Sequence, residues 1–342
     1  MRPIQGALAS LSRDIARLSA ALGEAVDVPS LGITDRSGHL KLHAPGLMSA
    51  NRACGLVRAG DGWIAINLAR EEDRELAPAW LRADPEPDLW AQVRRLARDR
   101  AAADLIADAI LFGLPAGGVG EVTANRLAPP TIALGSPSAG RKPGPLRVVD
   151  LSALWAGPMC GAVLAHAGAE VTKVESLGRP DPTRTSTPEF FRRLNDRKSQ
   201  LRLDFGAAEG QGRLWELFET ADVVITSARP RAFAGLGLSP TVVFVANPAL
   251  VWVAITGYGW TGAAGERVAF GDDAAAAGGL VRWTASGEPR FQGDALSDPV
   301  TGLAAALGAL QALANGGGVL VDAAMARAAA GATTMARLEA AS

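Results

Sequence analysis

The stretch richest in potential chemistry is Gly271-Asp272-Asp273, which is followed by four alanines and then by Gly278 and Gly279. Two carboxylates that enter a helix of small side chains would lie at the helix N-terminus. There the peptide dipoles favour the ionised form, and the backbone can approach a ligand closely. The same pattern fits a helix cap, because aspartate is a favoured capping residue that needs no chemical role. The spacing by itself leaves both interpretations open.

Other groups that could do chemistry are scarce. Histidine occurs only as His39, His43 and His166, and none has a convincing set of metal-ligand partners, so we expect structural roles and no metal site. No Gly-rich stretch has the P-loop form, and no Gly-x-Gly-x-x-Gly follows the first strand of the predicted sheet, which disfavours ATP and NAD. Two cysteines, Cys54 and Cys160, cannot cross-link a chain of 342 residues and fit a reducing, cytoplasmic setting.

Strands and helices that alternate along the chain would have to position these aspartates. A short apolar strand is predicted at 146–151 and a second strand at 169–175, with further strand candidates at 201–204, 222–226 and 250–255. This alternation indicates an α/β fold whose large domain is a doubly wound, mostly parallel, Rossmann-like sheet. The stretch Thr256-Gly257-Tyr258-Gly259 ends a buried strand at its carboxyl edge, where open α/β sheets usually bind ligands. Its position just upstream of the aspartates supports a functional role without deciding it.

The N-terminal part follows a different pattern. Apolar residues at helical spacing predict an amphipathic helix over 7–25. Two strands are predicted at 55–58 and 63–67 around an Asp61-Gly62 turn, and helices at 71–82 and 88–111. The segment 129–145, with glycine, serine and five prolines, is typical of a linker.

Composition and charge exclude several classes of protein. The 34 Lys and Arg against 35 Asp and Glu give a formal charge of −1, which argues against a nucleic-acid partner. No window approaches about 18 uninterrupted apolar residues, and the N-terminus lacks the apolar core of a signal peptide, so no membrane partner is expected. We therefore expect a cytoplasmic globular enzyme or binding protein.

Residues 146–330 resemble the class III CoA-transferases, the CaiB/BaiF family of formyl-CoA and carnitine CoA-transferases. Each matching stretch is weak, but their common order along the chain is specific. The stretches are Val148-Val149-Asp150-Leu151, Ala156-Gly157-Pro158, 168–175, Asn195-Asp196-Arg197-Lys198-Ser199, Leu203-Asp204, 221–224, Arg229-Pro230, 236–238, 247–251, 256–259, 298–302 and 316–322.

The N-terminal part resembles the other end of the same family. The stretch from Asn51-Arg52 to 61–65 is similar to the segment that opens the family's smaller domain, and 114–119 resembles that domain's end. The resemblance therefore implies either a permuted order or the remnant of a two-module fusion. The expected division is an N-terminal helix and connector (1–44), a small α+β domain (45–128), a linker (129–145) and the large domain (146–342).

In the family, an aspartate attacks the acyl-CoA thioester to give a mixed anhydride. CoA thiolate then forms an aspartyl-CoA thioester, from which the acceptor acid takes the CoA. The resemblance places this nucleophile at Asp272 or Asp273; we favour Asp272, although the spacing to the following glycines is about one residue short. It also implies that the N–H groups of Gly278 and Gly279 hold the developing oxyanion.

The resemblance further implies contacts with CoA. The candidate residues are Trp155, Ala156, Lys173, Arg184, Arg197, Ser227 and Arg229, of which the cationic ones would meet phosphates. Trp155 replaces the glutamine of formyl-CoA transferases, and Ser227-Ala228 replaces an Asn-Phe pair. The cationic side chains also fit solvated surface positions, with Lys173 at a strand end that points to water.

These features predict a CoA-transferase with an acyl-CoA and a carboxylic acid as substrates, no tightly bound cofactor, and a homodimer that is interlocked in the family. Two alternatives stay open. The first is an enzyme like α-methylacyl-CoA racemase, which uses a histidine and an aspartate; residues 230–275 contain no histidine, and this disfavours it. The second is a non-catalytic, degenerate CoA-transferase module.

Overall fold

The computed structural model describes residues 4–138 and 144–341. Its strands are β1 (Cys54–Arg58), β2 (Trp63–Asn67), β3 (Ala116–Gly118), β4 (Thr131–Ala133), β5 (Arg147–Asp150), β6 (Glu170–Ser176), β7 (Ser199–Leu203), β8 (Val223–Thr226), β9 (Val251–Thr256), β10 (Val281–Trp283), β11 (Pro289–Phe291) and β12 (Val319–Ala324). Its helices are α1 (Gln5–Ser19), α2 (Val28–Leu31), α3 (Glu71–Leu81), α4 (Leu89–Leu96), α5 (Ala102–Leu111), α6 (Ala156–His166), α7 (Thr183–Ser186), α8 (Pro188–Asn195), α9 (Ala208–Thr220), α10 (Pro230–Gly235), α11 (Pro240–Ala246), α12 (Gly271–Ala277), α13 (Ser297–Ala314) and α14 (Met325–Ala341).

The larger part of the chain is built on a seven-stranded sheet with the order β4-β12-β9-β8-β5-β6-β7. Six strands are parallel, and β4 pairs antiparallel to β12 at one edge. From β5 the chain adds β6 and β7 on one side, then returns to add β8, β9 and β12 on the other. The order therefore reverses between β5 and β8, which is the topological switch point of a doubly wound fold. The predicted α/β class is confirmed.

Alternate residues of the central strands enter two different cores. In β9, Val251 and Val253 face one side together with α6 and α13, whereas Trp252 faces the other with α9 and α11. This alternation follows from the two-residue period of a strand, and it explains why these strands are apolar without interruption.

Helix α13 is buried on almost its whole circumference and packs against α6. Such a helix must be apolar all round, as its run of alanine and leucine is. At Gly302 an added Cβ would lie 2.8 Å from the Ala156 carbonyl oxygen and from Met159 Sδ. The glycine therefore lets α13 approach α6 closely at the point where both helices begin.

Residues of the predicted small domain form an antiparallel sheet, β1-β2-β3, covered by α3 to α5. The register Arg58 to Trp63 confirms the predicted hairpin. Its core includes Trp80, whose indole N–H donates to the Leu105 carbonyl at 2.9 Å. Strands β2 and β3 pack on α12, so this sheet borders the predicted aspartates.

Two segments that precede the large domain in the chain join its sheet and its core. The predicted linker 129–145 supplies β4, because its residues 131–133 complete the hydrogen bonding of β12; its residues 139–143 lie outside the described part of the chain. The N-terminal helix α1 buries Leu11 and Ile15 in the core that also contains α13. Among the helices of residues 4–138 and 144–341, every one is too short or too polar to cross a lipid bilayer.

Candidate active site

A cavity of about 650 Å³ opens at the carboxyl ends of β5, β8 and β9. The loops after β5 and β8 form one wall of it, through 153–157 and Ser227-Ala228-Arg229. It lies at the carboxyl edge of the sheet, where the sequence led us to expect a ligand, and at the switch point of the strand order. Further lining comes from Asn51, in the loop before β1, and Asn67, the last residue of β2. The cavity therefore lies between the two parts of the chain.

Asp272 lies at the wall of this cavity, in the first turn of α12. Its side chain is 2% exposed, and both carboxylate oxygens have partners. Oδ1 accepts the Ala295 N–H at 2.8 Å, and Oδ2 accepts the Asn51 side-chain amide at 3.1 Å. Helix α12 can start here because position 271 is glycine: an added Cβ would lie 1.9 Å from Asp298 Oδ2.

Asp273 is fully buried and does not line the cavity. Its Oδ1 accepts the Phe270 N–H at 2.9 Å and the Asn67 amide at 3.2 Å. The first bond satisfies a backbone donor at the helix N-terminus, which is the capping role that the sequence left open. Its Oδ2 is buried and has no hydrogen-bond partner among the residues that the structure describes.

Both aspartates are harder to ionise than the helix-dipole argument predicted. Burial raises the pKa of Asp272 to about 7, and the charge of Asp294 adds to the effect. Burial raises the pKa of Asp273 to about 8, against its two hydrogen bonds. For both carboxyl groups, the loss of water around the charge therefore outweighs the helix dipole, which by itself favours the ionised form.

A small charged cluster borders Asp272. Arg36, from the loop after α2, binds Asp294 through Nε at 2.6 Å and Nη2 at 3.0 Å. Asp298, at the start of α13, accepts the Ala156 N–H at 3.3 Å, and burial raises its pKa to about 6. Arg36 thus lies among three carboxyl groups, one on α12 and two at or just before the start of α13, that are distant from it in the chain.

Comparison with known proteins decides the family. The model of CoA-transferase family III matches residues 145–341, which is more than half of the chain. The chain belongs to CoA-transferase family III. This confirms the resemblance to the CaiB/BaiF proteins that the sequence motifs indicated.

Relatives within family III support this assignment. An acyl-CoA transferase of Fusarium pseudograminearum is 36% identical over 201 residues, which cover 53% of this chain and 44% of the relative. The succinyl-CoA–D-citramalate CoA-transferase of Chloroflexus aurantiacus is 34% identical over 201 residues, 54% of this chain and 50% of the relative. The chain thus spans about half the length of the curated relatives it matches.

Solved structures agree with the family assignment. A CaiB/BaiF family protein from Brucella suis has a TM-score of 0.51 and 30% identity, covering 58% of this chain and 57% of that one. A hypothetical protein from Mycobacterium tuberculosis has a TM-score of 0.53 and 31% identity, covering 59% and 60%.

Four of the residues expected to contact CoA in a family III protein lie at the cavity. They are Trp155, Ala156, Ser227 and Arg229. The Trp155 indole is turned away from solvent and donates to the Ile33 carbonyl at 2.8 Å. The pKa of Arg229 is lowered by burial and by the charges of Arg231, Arg70 and Arg179, which line the same cavity. These four arginines make one region of the cavity positive, although Arg70 and Arg231 are ion-paired with Asp73 and Glu266.

The other three predicted cations do not line the cavity. Lys173 is fully buried, donating to the Ser152 carbonyl at 2.8 Å and to Asp181 at 3.1 Å, because β6 is an inner strand. The expectation that it points to water, or to a phosphate, is therefore wrong. The Arg184 Nε lies 2.9 Å from Glu175, and Arg197 is exposed in the turn after α8.

Gly278 and Gly279 lie at the opposite end of α12 from Asp272 and do not line the cavity. Their N–H groups donate to the carbonyls of Ala274 and Ala276, both at 3.0 Å. These donors close the end of the helix, so in this structure they are not free to hold an oxyanion.

Sequence reasoning missed several residues that line the cavity. Asn51 and Asp298 lie inside stretches that resemble the family, so the motifs pointed near them without assigning them a role. Arg36, Asn67, Arg179 and Arg267 carry no motif, and only folding brings them to the cavity. Among the described residues, no group of histidine, cysteine and acidic side chains could hold a metal ion.

Proposed function

We propose that this chain transfers CoA from an acyl-CoA thioester to a carboxylic acid, with Asp272 as the nucleophile. The observation that carries the proposal is that Asp272, unlike Asp273, lines the cavity at the switch point. A pKa of about 7 leaves a substantial ionised fraction at neutral pH while the buried carboxylate stays poorly solvated. Both properties favour a carboxylate nucleophile.

The proposed reaction is a series of nucleophilic substitutions at carbonyl carbon atoms. An Asp272 oxygen attacks the thioester carbonyl, and CoA leaves as the thiolate, which gives an aspartyl-acyl anhydride. The thiolate then attacks the aspartyl carbonyl, releases the acyl group as a carboxylate and forms an aspartyl-CoA thioester. The acceptor carboxylate reverses the two steps, so that the acceptor leaves as its CoA thioester and Asp272 is restored.

We propose that the CoA phosphates meet the positive region around Arg229. Arg70 and Arg231 are ion-paired with Asp73 and Glu266, but among the described residues no carboxylate lies within 4.0 Å of Arg179 or Arg229. Guanidinium groups of this kind bind phosphate oxygens in pairs. Trp155, Ala156 and Ser227 would line the path from this region toward Asp272.

Residues 45–128 would serve as the family's small domain in this chain, in a permuted order or as part of a former fusion. The contacts of Asn51 and Asn67 with Asp272 and Asp273 support this proposal. A homodimer and a cytoplasmic location complete it.

The first experiment is intact-protein mass spectrometry after incubation with acetyl-, succinyl- and longer acyl-CoAs, followed by hydroxylamine or borohydride trapping and peptide mapping. We expect an adduct at position 272, absent in Asp272→Asn and retained in Asp273→Asn. An adduct at position 273 would reverse the assignment. No adduct despite measurable CoA binding would favour a racemase-like or a non-catalytic protein.

The racemase alternative finds no support in the cavity. None of the three histidines lines it: His39 packs against Phe190 with ring centroids 5.4 Å apart, and His43 and His166 also lie elsewhere. Proton exchange of the kind that uses a histidine with an aspartate would lack its histidine here.

A further inference from the structure

We propose that Arg36 is a positioning residue of the reaction: its guanidinium fixes Asp294 and keeps the Asp272 carboxylate oriented and ionised for attack. The inference rests on the proposed function, since it deepens the role of the same carboxylate. It concerns a part of the chain, the loop after α2, that lies outside the segment matched by the family model.

Arg36 is held on two sides. Its guanidinium forms a bidentate ion pair with Asp294, at 2.6 and 3.0 Å, and its side chain is only 17% exposed. The same guanidinium lies 4.9 Å above the ring of Trp155, which in turn donates to the Ile33 carbonyl. A planar guanidinium group that is paired with a carboxylate and lies over an indole ring has little freedom to move.

A chain of hydrogen bonds connects this pair to the nucleophile. The Asn51 amide nitrogen lies 3.1 Å from Asp272 Oδ2 and 3.5 Å from Asp294 Oδ1, so it bridges the two carboxylates. Ala295, the residue after Asp294, donates its N–H to Asp272 Oδ1 at 2.8 Å. Ala295 has a φ of +45°, which costs energy for any residue except glycine and is retained only where packing imposes it. Arg36 thereby fixes the loop that fixes Asp272.

The charges around Asp272 also single out Arg36. The acidic groups that face it are Asp294 from the loop before α13, Asp298 on α13 and the adjacent Asp273, with the Cys54 thiol on β1 nearby. Arg36 is the cation that lowers the pKa of Asp272 against this surrounding negative charge. Without it, the cluster would hold carboxyl groups with no compensating charge, and Asp272 would take up a proton more readily.

The test is an infrared titration that does not depend on activity. The carbonyl band of protonated Asp272 is identified as the band lost in Asp272→Asn, and its midpoint is followed in wild type, Arg36→Met and Arg36→Lys. We expect Arg36→Met to raise the midpoint by about one pH unit, which lowers the ionised fraction about tenfold at pH values well below the midpoint. Arg36→Lys, which keeps the charge, should restore most of the wild-type midpoint.

Arg100→Met is the matched control, because Arg100 is similarly buried at 20% exposure and ion-paired with Asp108, but lies in the small domain. It should leave the midpoint unchanged. Should Arg36→Met fold poorly, the double variant Arg36→Met with Asp294→Asn keeps the local charge balanced, and its midpoint should return toward wild type.

An unchanged midpoint in a folded Arg36→Met variant would overturn the inference. The rate of adduct formation in the mass assay supplies the second readout. Arg36→Met should slow adduct formation most at low pH, and its rate should approach that of wild type as the pH rises. A merely structural loss would instead lower the rate equally at all pH values. If wild type forms no adduct while the midpoint still shifts, the proposed function fails and the electrostatic role of Arg36 stands.

Discussion

Replacing Asp273 by asparagine should make the protein more stable at alkaline pH and less sensitive to pH. Asp273 is fully buried, and burial raises its pKa to about 8, above the value of about 3.9 expected in the unfolded chain. A group whose pKa is raised by folding contributes most to stability below its unfolded pKa, and this contribution is lost as the pH rises through the folded pKa.

The size of this effect follows from the two pKa values. Integrated from pH 5 to pH 8, the proton linkage of one such group removes about 4 kcal/mol from the free energy of unfolding. Asparagine keeps an oxygen that can accept the Phe270 N–H and the Asn67 amide, and it does not titrate. The variant should therefore lose most of this 4 kcal/mol dependence.

The assay is urea unfolding followed by tryptophan fluorescence at pH 5, 6, 7 and 8, for wild type and Asp273→Asn. Asp14→Asn, on the exposed face of α1, serves as the control for removing one acidic group from the surface. If the unfolding free energy of Asp273→Asn falls with pH as steeply as that of wild type, the argument is refuted, because burial would then not raise the pKa of Asp273.

Three further predictions follow from the packing and charge of the site. Gly271→Ala should lower the free energy of unfolding by about 1–3 kcal/mol in thermal melts, because its Cβ would clash with Asp298; an unchanged melt would refute this. Lys198→Met should cost about 3–5 kcal/mol in urea unfolding, because it leaves the buried Asp150 unpaired; a neutral effect would contradict it. Arg229→Ala should raise the KM for acyl-CoA about tenfold with kcat little changed, and a fall in kcat alone would argue against a phosphate contact.

Five of the seven strands of the large sheet were predicted from local sequence, whereas β4 and β12 were not. Strands β8 and β9 are largely apolar runs of four and six residues that are buried on both faces, and such runs separated by helices indicate a parallel sheet. Strand β4 was missed because three residues in a proline-rich segment carry no such pattern. It becomes a strand only because β12 offers it free hydrogen-bonding groups.

Charged residues show why local sequence could not assign contacts. Lys173 and Arg229 both follow the family motifs, yet one is an internal ion-pair partner and the other lines the cavity. Whether a cation meets solvent, a carboxylate or a ligand depends on which elements pack beside it. For Lys173 the deciding element is Asp181, held beside β6 by the loop that follows the strand.

The sequence by itself determined the α/β class and most of the large sheet, and it predicted a site at the carboxyl edge of that sheet beside a pair of adjacent aspartates. Only the tertiary structure decided between them, because successive residues on a helix point about 100° apart, and packing alone shows which direction faces the cavity. Asp272 faces it, and Asp273 caps the helix from within. The structure also brought Arg36 to Asp294, 258 positions away in the chain, a contact that no local pattern encodes.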